Sequence, residues 1–429
     1  MRYDVINNEL FTANRKNLSK ELKKNSLVFV SSNAPMPDSA DAFYKWRQNP
    51  DLFYLTGIDQ EETFLLLFPD APKEELREIL FVRQTNELLE TWEGRKLTKA
   101  QASQYSGIKQ VRWSSEAFST LFSIMHLAEH VYLNSNEHDR ASWKVETYEV
   151  KVAQRIREAF PLHRYERLAP IMASLRTKKS NLEIALLNRA IEITRKGFLR
   201  TLHFVKPGVW EYQVEAELTH EYISNRATRH AYEPIVATGE NACFLHYIAN
   251  NTQCKSGELL LMDCAAEYAN YCSDLTRTIP VNGKFTKRQK DVYNAVLSIH
   301  KQAVQMMKPG IQLVEFNAAV GDLMEGELIK LKLLKLADVK KQDKKNPLYR
   351  KYFPHGTAHF LGLNTHDVGN RYGKIPAGAV LTCEPGIYIR EEKIGIRLEN
   401  NILVTKEKPI DLMANIPIEA EEIETIMNE

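Results

Sequence analysis

Cysteine is scarce in this chain. Its 429 residues hold five, at Cys243, Cys254, Cys264, Cys272 and Cys383, and no two form a C-x-x-C pair. An odd number without paired spacing supports neither a thiolate zinc site nor a disulfide framework. Long apolar runs are also missing. Nothing approaches the roughly eighteen consecutive apolar residues of a membrane span, and the opening stretch through Glu9 has no apolar core of the kind a secretory signal needs. Charge of one sign is not in excess either. Lys plus Arg number 57 and Asp plus Glu 55, a formal net charge of +2, so neither nucleic acid nor an anionic membrane is called for as a partner. A reduced cytoplasm is the expected compartment.

What is present is enough chain for two domains with cores of their own. From Ser26 to about residue 168, β-type runs at Leu27–Val30, Phe64–Phe68, Ile79–Val82 and Val131–Leu133 alternate with charged helical stretches such as Pro72–Glu78 and Val145–Phe160. Such alternation predicts an α/β sandwich. Glu166–Ser180, with Arg167, Arg176, Lys178 and Lys179, reads as a boundary, giving domains at 1–170 and 171–429. Asn181–Val205 then reads as a long amphipathic helix with Asn181 as its cap.

The second part repeats itself. Val205-Lys-Pro-Gly-Val209 recurs as Met307-Lys-Pro-Gly-Ile311, each followed by an acidic stretch with helical apolar spacing. Downstream, Gly257-Glu-Leu-Leu-Leu-Met-Asp263 parallels Gly378-Ala-Val-Leu-Thr-Cys-Glu384, and each copy then supplies one more carboxylate, Asp274 and Glu399. Two such units docked about a pseudo-two-fold axis would bring the four acids together. In the first, Leu259–Asp263 is expected to pair with a returning Tyr271–Ile279, so that Asp274 faces Asp263.

Four carboxylates are costly to bury without cations. Together with His359 they carry more charge than one divalent ion balances. Two ions about 3.5–4 Å apart would balance them and could hold a bridging hydroxide as nucleophile. The single imidazole favours manganese, iron, cobalt or zinc over magnesium or calcium.

These residues stand in blocks that resemble the pita-bread metallopeptidases, and within them the Xaa-Pro aminopeptidases (aminopeptidase P). The blocks are Gly239-Glu-Asn-Ala-Cys-Phe-Leu-His246-Tyr, Asp263 through Asp274-Leu-Thr-Arg277-Thr, Val281-Asn-Gly-Lys-Phe285, His355-Gly-Thr-Ala-His359-Phe-Leu-Gly-Leu-Asn-Thr-His366-Asp, Glu384-Pro-Gly-Ile-Tyr388 and Gly395-Ile-Arg397-Leu-Glu399. In the first half, Ser39-Ala-Asp41 and Tyr44-Lys-Trp-Arg47-Gln-Asn-Pro-Asp-Leu-Phe-Tyr54-Leu-Thr-Gly57 look like that family's amino-terminal domain.

The resemblance implies a creatinase-like α/β N-terminal domain followed by an α+β pita-bread catalytic domain with internal pseudo-two-fold symmetry. It implies two divalent metal ions, manganese first with cobalt, zinc or iron as alternatives. Asp263 would chelate one metal, Asp274 and Glu399 would bridge both, and His359 and Glu384 would complete the second. His246, His355 and His366 would line the substrate site and handle protons. Arg397 would orient the bridging carboxylates, and Tyr388 would lie beside the substrate. The implied activity is release of the first residue from peptides with proline second, by a homodimer or homotetramer. Prolidase activity on dipeptides and a non-catalytic binding module are the competing readings.

Departures from the family pattern are small: Ala358 before the metal histidine, Asn400 and Asn401 after Glu399, and a short Ile389–Gly395 segment. His126, His130, His138, His163, His203, His220, His230 and His300 match nothing and read as structural or surface residues. Trp92 reads as packing within the amino-terminal domain, and the lysine-rich Lys330–Lys351 as a solvated helix and loop.

Overall fold

Buried aliphatic and aromatic runs build the amino-terminal sheet. In the computed structural model, which describes residues 2–142 and 144–429, strand β1 (Ser26–Ser31) is followed by β2 (Phe64–Leu67), β3 (Glu78–Val82), β4 (Gln110–Trp113), β5 (His130–Leu133) and β6 (Arg164–Arg167). Their order is β4-β3-β2-β1-β5-β6. β2 runs antiparallel to β1 and β3, and the other pairs are parallel. The four predicted runs are all strands. The edge strands β4 and β6 escape a hydropathy reading because neither buries a residue fully. Pro72–Glu78 is not a helix. It holds one 3₁₀ turn, Glu74–Leu76, and Glu78 already belongs to β3. Trp92 is 82 % exposed instead of packed.

The chain divides into Tyr3–Arg176 and Thr177–Glu429, and the helix Ala169–Thr177 runs across the position where the sequence suggested a border. In the second unit, α1 (Asn181–Phe204) begins with a capping box in which Ser180, not Asn181, is the cap: its hydroxyl accepts from Glu183 N while the Glu183 carboxylate accepts from Ser180 N. α2 (Glu211–Ser224) follows, then β7 (Ile235–Thr238), β8 (Leu259–Asp263) and β9 (Thr276–Pro280), which form one antiparallel sheet in the order β7-β8-β9. The second copy has α3 (Lys287–Met306), α4 (Leu313–Lys330), β10 (Val380–Cys383) and β13 (Asn400–Leu403), the last two paired antiparallel. Between those strands lies the hairpin β11 (Gly386–Ile389) and β12 (Ile394–Arg397).

The repeat is structural as well as sequential. Gly208 and Gly310 both take left-handed backbone, with φ +97° and +95°, and so do Gly257 and Gly378, at +85° and +90°. Gly208 N donates to Cys254 O and Gly310 N to Ile375 O, each 2.9 Å, and each acceptor lies three residues before the next glycine. β8 pairs Asp263 with Thr276, and the register of β10 with β13, continued by one residue, sets Glu384 opposite Glu399. Thr276 and Glu399 therefore occupy equivalent positions, and they form an antiparallel bridge with each other. Self-pairing of equivalent residues is what a local two-fold axis produces.

One expectation needs correcting. Asp274 does not face Asp263, because Tyr271–Cys272 folds back on Ala266–Tyr268 across Ala269 and Asn270, both with positive φ. Asp274 then lies in the link between that small hairpin and β9. By symmetry its equivalent is Arg397, and Glu399 is equivalent to Thr276, not to Asp274.

A buried ion pair fixes the His359–Asp367 segment. Lys179 Nζ lies 3.3 Å from Asp367 Oδ2, with both side chains 1 % exposed. Gly362 makes room for it, since a Cβ there would fall 2.3 Å from Asp367 Oδ2. Lys179→Met should lower the unfolding free energy of this unit by about 3–5 kcal/mol, because it strands a buried charge, and adding Asp367→Asn should restore part of the loss. Urea denaturation measures both; a cost under about 1 kcal/mol would mean the pair is effectively solvated.

Candidate metal centre

Strand ends deliver the acids. Asp263 closes β8, Glu384 follows β10, and Glu399 precedes β13. Asp274 is set by Asn401, whose Oδ1 accepts from Asp274 N at 3.1 Å while its Nδ2 donates to Asp274 O at 2.7 Å. Among the described residues, donor atoms of Asp274, His359 and Glu399 lie within 4.8 Å of one another. His359 Nδ1 lies 3.0 Å from the Phe360 carbonyl, which can only accept, so Nδ1 carries the proton. Its Nε2 is left to face the acids, 3.3 Å from Asp274 Oδ2 and 3.8 Å from Glu384 Oε1. A ring oriented in this way is ready to ligate.

Arg397, 4 % exposed, ties the carboxylates to the neighbouring groups. Nη2 donates to Asp263 Oδ2 at 2.6 Å, Nε to Thr276 Oγ1 at 3.1 Å, and Nη1 to Tyr388 Oη at 2.9 Å. Thr276 Oγ1 in turn donates to Glu399 Oε2 at 2.7 Å. Tyr388 Oη donates a hydrogen bond to His355 Nε2 at 2.8 Å, which makes Nδ1 of His355 the donor to Gly356 O. His355 is therefore neutral: burial, then Arg397, hold it near 3. Burial pushes Tyr388 up to about 12, so its hydroxyl stays protonated. The His366 ring meets His359 edge-on, with centroids 4.3 Å apart. His246 is exposed and interacts electrostatically with His355.

The acids strain against one another. Burial raises Asp263, with Arg397 opposing and Asp274 adding repulsion. Burial pushes Glu384 up to about 7, opposed by His359. Glu399 stands well above the carboxylate range through burial and repulsion from Asp274, Glu384 and Asp263. His359 is raised because Asp274 and Glu384 outweigh its burial. One guanidinium among four carboxylates leaves a surplus of negative charge, and the free donors are oxygens plus one imidazole nitrogen. That donor set fits divalent cations.

All five predicted ligand residues are thus brought together, with Arg397, Tyr388, His355 and His366 against them and His246 at the rim. Three partners escaped the sequence reading. Tyr232 donates to Asp263 Oδ1 at 2.5 Å. Thr276 links Arg397 to Glu399, and Asn401 grips Asp274. A tyrosine, a threonine and an asparagine carry no charge to mark them; only the position of Thr276 in D-L-T-R-T and of Asn401 beside Glu399 gave any signal.

The pattern described as Metallopeptidase family M24 matches residues 185–406, and that of the aminopeptidase P N-terminal domain matches residues 11–133. The chain is 33% identical to the Xaa-Pro aminopeptidase of Escherichia coli, across 98% of each protein. It is equally similar, at 33%, to that of Haemophilus influenzae, across 98% of this chain and 97% of the relative. Among solved structures it is similar to Escherichia coli aminopeptidase P with the inhibitor Pro-Leu, at TM-score 0.89 and 32% identity over 99% of each chain.

Raised carboxyl pKa values mean that the folded, metal-stripped protein binds protons more tightly than the unfolded chain, so its stability grows as pH falls through them. The raised His359 acts in the same direction. His300 and His355, held near 3 against an ordinary 6.5, oppose this as pH falls toward 6.5 and more strongly below it. With chelator present, the melting temperature should therefore climb by about 2 °C or more between about pH 8.5 and 6.5, and saturating divalent metal should flatten the rise. Differential scanning fluorimetry reads both; a fall over that window in the stripped protein would contradict the strained cluster.

Proposed function

The chain belongs to metallopeptidase family M24, joined to an aminopeptidase P N-terminal domain, and from that premise we propose that it releases the first residue of peptides that carry proline second. It is a metal-dependent hydrolase. One observation carries the reading: four carboxylates and His359, drawn from both halves of a duplicated unit, converge on one buried cluster with more negative charge than Arg397 can offset. Prolidase and binding-module readings are not favoured, since the two relatives that share 33% identity along the whole chain are Xaa-Pro aminopeptidases and none of the proposed ligand residues is missing.

We propose that Asp263, Asp274, His359, Glu384 and Glu399 would hold two divalent ions. Manganese is favoured over cobalt, zinc or iron, because the donors are mostly hard oxygens with one imidazole. When bound, the ions would polarise the scissile carbonyl and make water a nucleophile at neutral pH. The chain's own residues do the rest. Arg397 holds Asp263 directly and Glu399 through Thr276, so two carboxylates keep fixed orientations. Tyr388 holds a proton at Oη and keeps neutral His355 aligned. His366 and His246 flank the site and are assigned to substrate, with His366 delivering the proton that a leaving proline nitrogen requires. Proline's tertiary amide donates no hydrogen bond, so the pocket must select by packing its ring. We further propose a cytoplasmic homodimer or homotetramer. Five buried free cysteines and the lack, among the described residues, of any helix able to cross a membrane support the compartment. An amino-terminal unit with its own core and no ligand residue supports a role in limiting access to the site.

Asp274→Ala and Glu399→Ala should each lower bound metal and nearly abolish turnover, whereas His246→Ala, His355→Ala and His366→Ala should cut kcat/KM by roughly 10²–10⁴ with metal content intact. Elemental analysis alongside steady-state kinetics separates the two classes; full metal and near-normal kcat in either carboxylate variant would refute the ligand assignment.

Specificity separates the activities. Metal-stripped protein restored with single divalent ions should cleave Xaa-Pro-Xaa and longer peptides after the first residue, and should act poorly when alanine stands second. Turnover of Xaa-Pro dipeptides alone would favour prolidase; no turnover of any Xaa-Pro peptide with manganese, cobalt or zinc would leave a binding module.

A further inference from the structure

His246 occupies the tip of the Phe244–Tyr247 turn, exposed to solvent. Among the described residues no hydrogen bond holds its ring, so its place at the rim depends on the backbone beneath it. That backbone, Thr238–Thr252, is mostly irregular, with a short 3₁₀ helix at Gly239–Cys243. Such stretches lack main-chain ladders and open easily unless something else holds them.

One side chain does much of that holding. Glu211, the first residue of α2, is 0% exposed. Its Oε1 accepts from Thr238 N at 2.7 Å and Asn241 Nδ2 at 3.1 Å, and its Oε2 from Tyr247 Oη and Thr252 N, each at 2.8 Å. The donors come from the start, the first turn, the tip and the end of the segment. Glu211 N also donates to Thr252 O at 3.0 Å. One turn along α2, Glu215 takes Asn250 Nδ2 at 2.9 Å, while Asn250 Oδ1 takes Val236 N at 2.9 Å. The N-terminal position on α2 favours negative charge, and four donors use the full acceptor capacity of a carboxylate.

We propose that Glu211 is a positioning residue whose buried carboxylate fixes the segment that presents His246 to substrate. The inference rests on the role assigned to His246. A carboxamide cannot substitute, because its one oxygen serves only part of the set and its NH₂ would face donors. An aspartate is one methylene too short to reach all four.

A double-mutant cycle tests it. Glu211→Gln should lower kcat/KM on Xaa-Pro-Xaa peptides by roughly 10–100-fold, the scale of a small misplacement, with bound metal unchanged. In the His246→Ala background the same substitution should cost less than about twofold, because the two act in series. Hydrogen exchange read by mass spectrometry should rise in peptides covering Thr238–Thr252 and not in α1 or α3. That arm reads the clamp without catalysis, so a failed substrate assignment stays distinguishable from a failed clamp. Equal losses in both backgrounds, lost metal, unchanged kinetics or unchanged exchange would each overturn the proposal. If Glu211→Gln does not fold, Tyr247→Phe with Asn241→Ala, which keeps the carboxylate and both backbone donors, enters the same cycle and is held to the same outcomes.

Discussion

Repulsion among four carboxylates, Asp274 and Glu399 buried and Asp263 and Glu384 partly so, is the constraint on which the rest of the catalytic unit depends. Their like charges would drive Asp263, Asp274, Glu384 and Glu399 apart if the chain allowed it, and the raised pKa values of Asp263, Glu384 and Glu399 record the burial and repulsion. Three devices oppose it. Arg397 supplies one fixed positive charge. Strand pairing and the Asn401 side chain hold the backbone at each acid. Tyr232 donates to Asp263 Oδ1 and Thr276 to Glu399 Oε2. None of the three neutralises the cluster, and divalent metal is the partner that completes it.

The duplicated unit supplies the scaffold, and its imperfections supply the chemistry. Matching glycine turns, helix pairs and strands bring two similar ends to one axis. At that axis the equivalent positions carry different side chains: Asp263 beside Glu384, Thr276 beside Glu399, Asp274 beside Arg397. A faithful duplication would put either two arginines or two further acids at the last pair. The sequence reading treated Asp274 and Glu399 as counterparts because both are acids a short way downstream. The pairing register shows that the asymmetry is what places a cation within the cluster.

Much of this was legible in the chain, for identifiable reasons. Fully buried strands such as Leu27–Val30 and Leu259–Asp263 announce themselves by unbroken apolar runs, and the paired Lys-Pro-Gly turns announce the duplication. The proposed ligand residues stood in blocks specific enough to name together. Half-exposed edge strands did not, because period-2 patterning vanishes when neither face is dry. The register around Asp274 was missed because positive-φ residues at Ala269 and Asn270 shorten the turn, and alanine is a rare signal for left-handed backbone. The cap is Ser180, one residue before the expected Asn181; both residue types cap well, and the reciprocal bond from Glu183 decides it.

The contact between Arg397 and Asp263 joins residues 134 positions apart, and Glu399 comes after every other member of the cluster in the chain. During synthesis the acids of the first half therefore emerge long before their counter-charge. Until β12 and β13 exist, Asp263 and Asp274 remain ordinary hydrated carboxylates with no reason to approach one another. A nascent chain of this design lacks the complete cluster until Glu399 has been made, about thirty residues before its end.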